Sequence, residues 1–66
     1  MSIIVNGEAS DIAPGTTVRA LLDALAAPTR GVAVAVDAEV IPRGEWDAFA
    51  VADGARVEVL IAVQGG

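Results

Sequence analysis

Apolar residues recur along this 66-residue chain with two different spacings, and the spacing separates its elements. Ser2-Ile3-Ile4-Val5-Asn6 reads as a strand and runs into Asn6-Gly7, the strongest short hairpin signal. A brief return over Ala9 to Ile12 is stopped by Pro14-Gly15. The period then lengthens. Val18, Leu21, Leu22 and Leu25 fall at i, i+3, i+4 and i+7, which places four apolar side chains on one face of a helix VRALLDALA. Thr16 and Thr17 precede it and can cap its first turn, and Arg19 and Asp23, four apart on the outer face, are spaced to attract weakly. Pro28 and Gly31 close the segment.

From Val32 to Asp37 the period returns to two, with valines on one face and alanines on the other. Asp37-Ala38-Glu39 turns the chain, and Val40-Ile41 return until Pro42 halts the pairing. PRGEWDAFAVADG is the least regular stretch and ends in the tight-turn pair Asp53-Gly54. The last strand runs from Arg56 to Ala62, with Val57, Val59 and Ile61 on one face and Arg56, Glu58, Leu60 and Ala62 on the other.

The order is β-β-α-β-β-β, and a helix of under ten residues survives only on a sheet. This predicts an α+β fold, the ubiquitin-like β-grasp. It has a mixed sheet of four to five strands, one main helix on one face, and the first and last strands parallel at the centre. Leu60 then lies on the open face. Residues 1–62 form the domain and 63–66 a flexible tail ending in Gly65-Gly66.

Composition narrows the chemistry. The residues are 55% hydrophobic and 3% aromatic, so Val, Ile, Leu and Ala must fill the core around Trp46 and Phe49. A chain this short buries only about 60% of its unfolded surface, which leaves stability modest. Cys, His, Tyr and Lys are absent, which removes a thiol nucleophile, an imidazole base, a Schiff-base amine and the commonest zinc ligands. A net charge of −5 disfavours nucleic acid and suits a basic protein partner. No apolar run approaches the ~20 residues that span a bilayer, and MSIIVNGE has no signal-peptide character. The lack of cysteine fits a reducing cytoplasm.

Several residues admit two readings. Trp46 in so ring-poor a core reads as a packing element rather than a contact residue. Arg43 either pairs with Glu45 or Asp47 or meets a partner. The acid pairs Asp37/Glu39 and Glu45/Asp47 have no other ligand type beside them and read as solvated turns. Leu60, with Ala62 and Val63 leading onward, is the centre of a candidate docking patch. The closing Gly65-Gly66 is either an idle end or a carboxylate presented for chemistry.

Four stretches favour the second alternative: VNGE, PGTTVRALL, VIPRGEW and the closing GG. Along its whole length the chain resembles the ThiS family, the sulfur carriers of thiazole formation in thiamine biosynthesis, related to the molybdopterin carriers (MoaD). Members of that family often carry Asn-Gly where Asp37-Ala38 stands here, and a small residue where Gln64 stands.

The resemblance implies a carrier that is not itself an enzyme and binds no cofactor of its own. Gly66 is adenylated by an E1-like adenylating enzyme (ThiF-like) using MgATP. It then receives sulfur from a cysteine desulfurase or rhodanese-type donor and delivers it as a thiocarboxylate to thiazole synthase (ThiG-like). Gly65 and Gln64 thread into the partner's channel, where glycine's lack of a Cβ permits close approach. Three alternatives stay open: the same chemistry serving molybdopterin, cysteine or a secondary metabolite, a ubiquitin-like protein modifier, and a plain interaction domain with an idle tail.

Overall fold

The computed structural model describes residues 1–28 and 30–62. Its order is β1 (Ser2–Val5), β2 (Glu8–Asp11), α1 (Val18–Ala24), β3 (Val32–Val36), β4 (Glu39–Ile41), a short 3-10 turn (Arg43–Glu45) and β5 (Arg56–Ile61). The five strands form one sheet in the order β2-β1-β5-β3-β4. Strand β1 pairs parallel to β5, and the other neighbours are antiparallel. This is the expected β-grasp order, with the last strand at the centre.

Both hairpins close through two-residue turns with positive φ at both positions. Asn6 and Gly7 have φ of 49° and 85°, and Val5 pairs with Glu8 across them. Asp37 and Ala38 have φ of 51° and 68°, with Val36 opposite Glu39. Positive φ at both central residues matches the twist of the flanking strands, which is why Asn-Gly is favoured there. Glu39 therefore belongs to β4 rather than to the turn.

Alternation sorts the sheet into two faces. Ile3, Val5, Val34, Val36, Ile41, Val57 and Val59 face α1, whose Val18, Leu21 and Leu22 complete the core with Trp46, Val51 and Ala55. No polar side chain is buried among the described residues.

The helix is shorter than its apolar spacing predicts. It stops at Ala24 because Ala26 takes a left-handed φ of 56°. The amide of Ala26 then bonds Asp23 O, and that of Ala27 bonds Leu22 O at 3.0 Å, the double closure of a Schellman end. Pro28 disfavours a helical residue before it, so the chain unwinds here. Leu25 consequently leaves the buried face and is 44% exposed. Thr17, not Thr16, is the cap: its hydroxyl oxygen accepts from the Ala20 amide at 3.1 Å.

The irregular stretch after β4 caps the same helix. The first two helical amides donate to it, Val18 N to Phe49 O at 2.9 Å and Arg19 N to Trp46 O at 3.1 Å. These orphan donors would otherwise need water. Trp46 is buried, and its indole N–H donates to Ile41 O at 2.9 Å, so it is a packing element as expected. Arg19 does not pair with Asp23. Its Nε sits 3.0 Å from Asp47 Oδ1, and its guanidinium lies 5.5 Å from the Trp46 ring centre. Asp47 is engaged there, and Arg43 instead lies over the same ring at 5.9 Å. Asp37 Oδ1 accepts from the Arg56 amide at 3.0 Å, which gives that turn carboxylate a structural role.

Candidate functional site

The C-terminal end of β5 carries two exposed large apolar side chains, Leu60 and Ile61, while a third on the sheet, Val40, stands apart on β4. Because side chains alternate, Arg56, Glu58 and Leu60 stand on the face away from α1. Leu60 lies opposite Ala33 of β3 and is 66% exposed, as its place on the open face predicts. Two shallow hollows flank it. One is formed by Ile4, Asn6, Gly7, Arg56 and Glu58, the other by Gly31, Val32, Ala33, Ile61 and Ala62. The alanines of β3 explain why a leucine can stand proud: small side chains on the neighbouring strand cannot cover it.

Ile61 was expected beside Val57 and Val59 on the covered face, and it does point to that side. It is nevertheless 52% exposed, because α1 has already ended and no described residue covers it. Ile61, Leu25 and Pro28 instead border an open groove of about 460 Å³ on the helix side, rimmed by Glu8 and Ser10 of β2. Apolar surface thus lies on both sides of the chain where β5 finishes.

Strand β5 ends at Ile61, one residue before the expected limit, yet Ala62 is still tied to the sheet. Its amide donates to Gly31 O at 2.6 Å. Gly31 has a φ of 69°, and a Cβ added there would meet the Ala62 Cβ at 3.5 Å. On the other side, the Asn6 side chain bonds both backbone groups of Val59: Nδ2 donates to the carbonyl at 3.2 Å, and Oδ1 accepts from the amide at 2.8 Å. These two ties escaped the sequence reading. A positive φ fully accounts for Asn in an Asn-Gly turn, so no signal was left over to mark its amide. Of the other expected site residues, Val63, Gln64, Gly65 and Gly66 lie outside the described residues.

The sequence profile of the ThiS family matches residues 3–66. The chain belongs to the ThiS family. Among curated proteins, this ThiS family member is 33% identical to the sulfur carrier protein ThiS of Escherichia coli, with both chains covered in full. It is 35% identical over its whole length to a thiazole synthase of Paramagnetospirillum magneticum, of which it spans one fifth. Among solved structures it superposes on a crystal structure of a thiamine biosynthesis protein (ThiS) from Geobacter metallireducens with a TM-score of 0.86. The two are 39% identical with complete coverage of both. A solution structure from the same organism gives 0.82 at 39% identity, covering all of this chain and 88% of the other. The family expected from VNGE, PGTTVRALL, VIPRGEW and the closing GG, and the ubiquitin-like fold expected from the order of elements, are therefore established.

No helix among the described residues is long and apolar enough to cross a membrane.

Proposed function

We propose that this ThiS family member is a sulfur carrier of thiamine biosynthesis, and that its working group is the Gly66 carboxylate. The observation that carries this reading is the family match through residue 66, on a fold whose central strand ends in the exposed apolar side chains Leu60 and Ile61.

The chemistry follows from what a carboxylate lacks. An α-carboxyl has a reference pKa near about 3.5, so it is anionic at neutral pH and repels nucleophiles. Its oxygen can attack the α-phosphorus of ATP, expelling pyrophosphate and leaving an acyl-adenylate. The terminal sulfur of a persulfide then attacks the acyl carbon and expels AMP. A thiol cleaves the resulting S–S bond, leaving the thiocarboxylate on Gly66 and the donor in a disulfide. The carrier contributes the carbon and a handle; an E1-like enzyme holding MgATP and a desulfurase or rhodanese-type donor contribute catalysis in the cytoplasm.

Gly65 and Gln64 thread the channel, while Leu60, Ala62 and Val63 form the docking patch. Thiazole synthase is the recipient, a reading supported by the Paramagnetospirillum relative of that name, which contains a matching stretch.

Intact-mass measurement after incubation with the activating enzyme, MgATP and a sulfur donor tests this. We expect a gain equal to one oxygen replaced by sulfur, and none in a chain lacking Gly65 and Gly66. No gain, with an activating enzyme that converts another carrier, would overturn it. Rescue of a thiamine auxotroph by the full chain and not the shortened one assigns the pathway. High-mass adducts on a denaturing gel would instead indicate a protein modifier.

A further inference from the structure

Strand β5 is hydrogen-bonded unequally on its two sides near its end. Toward β3 the pairing continues through Val32 opposite Ile61, and Gly31 extends it by bonding the Ala62 amide. Toward β1 it stops early, because β1 turns away at Asn6-Gly7; its last backbone bond is Asn6 N to Val57 O at 2.9 Å. The next backbone groups of β5 on that side belong to Val59, and among the described residues no strand lies beside them. The Asn6 carboxamide fills that place with one donor and one acceptor, at 3.2 and 2.8 Å. A primary amide offers the same pair of groups as a peptide unit, so it can extend a ladder by one step after the backbone has left.

We propose that Asn6 is a positioning residue: its side-chain amide fixes the end of β5 and so sets the position and direction of the backbone from Val59 to Ala62. Gly31 holds that end from the opposite side. Asn6 therefore has two separable tasks, the left-handed turn conformation and the grip on Val59. The consequence for transfer of sulfur rests on the carrier reading above; the grip itself does not.

The variant Asn6→Gly separates the tasks, since glycine takes positive φ freely and has no amide to offer. Hydrogen exchange at Val59, Leu60 and Ala62 should accelerate by about tenfold, the scale of two ordinary hydrogen bonds. Val34 and Val36, in the buried core, should accelerate by no more than that same factor, because every amide shares any loss of global stability. The activating enzyme's KM for the carrier should rise about three- to tenfold with kcat nearly unchanged, because ordering the strand end is then a cost of binding. Asn6→Asp keeps the acceptor but loses the donor, and should shift both readouts in the same direction.

Unchanged exchange at the β5 end would overturn the grip and leave Asn6 as a turn residue only; faster exchange with an unaltered KM would overturn its positioning role toward the activating enzyme. If the parent chain itself is never converted, the carrier reading fails, while the exchange comparison still decides whether the grip exists.

Discussion

At the scale of single residues, Ala38 is the least comfortable position in the sheet. It sits at a φ of 68° in the β3–β4 turn, where a Cβ costs about 1–2 kcal/mol. Asp37 before it eases its own positive φ by accepting from the Arg56 amide; Ala38 has no polar group with which to do likewise. Ala38→Gly should therefore stabilise the fold by about 0.5–1 kcal/mol, after allowing for glycine's freer unfolded chain. Thermal unfolding would show this as a rise of a few degrees. Trp46 is the opposite case, a residue on which much converges: it fills the core, donates to Ile41 O and offers Arg19 its backbone carbonyl. Trp46→Ala should cost about 3–5 kcal/mol. A domain of this length has roughly 3–10 kcal/mol in all, so urea titration should find the variant's midpoint far below the parent's. The packing role of Trp46 was legible because the chain has so few rings. The identity of its acceptor was not, since nothing in a sequence says which carbonyl a fold leaves unpaired.

At the scale of elements, the two ends of α1 differ in how plainly the sequence marks them. Its start follows from a threonine before an apolar-periodic run, and Thr17→Ala should cost about 1 kcal/mol in denaturant titration. Its end misleads, because Leu25 keeps the 3.6-residue spacing after the backbone has left the helix at Ala26. Periodicity reports where an apolar face could continue and not where it has something to cover. The same reason exposes Ile61, which continues the alternation of β5 beyond the reach of the helix. The Arg19–Asp47 pair joins the helix to the stretch that caps it, but both groups are solvent-accessible. Asp47→Asn should accordingly cost less than about 1 kcal/mol, a difference that shrinks in high salt.

At the scale of the whole molecule, one sheet face packs against the helix and the other is open to solvent among the described residues. Leu60 contributes to neither core nor pairing through its side chain, so Leu60→Arg should alter unfolding by no more than about 0.5 kcal/mol. Under the carrier reading, the same change should lower conversion by the activating enzyme more than tenfold, measured by intact mass over time. Architecture at this scale was readable in advance: two hairpin signals, one amphipathic helix between them and a final apolar strand leave few arrangements with a covered core. The contacts at the end of β5 were not, because Asn6 and Val59 are far apart in sequence and meet only once the sheet has assembled.

The central place of β5 bears on how the protein comes into being. Synthesis delivers the β1–β2 ribbon first and the β3–β4 ribbon later, and a lone two-stranded ribbon is barely stable in water. Nothing can weld them until residues 56–61 arrive, so a nascent chain released before Arg56 would keep two raw strand edges open to neighbouring molecules. Assembly therefore waits until β5 has been made, and termination before Arg56 should yield aggregates rather than a smaller working domain.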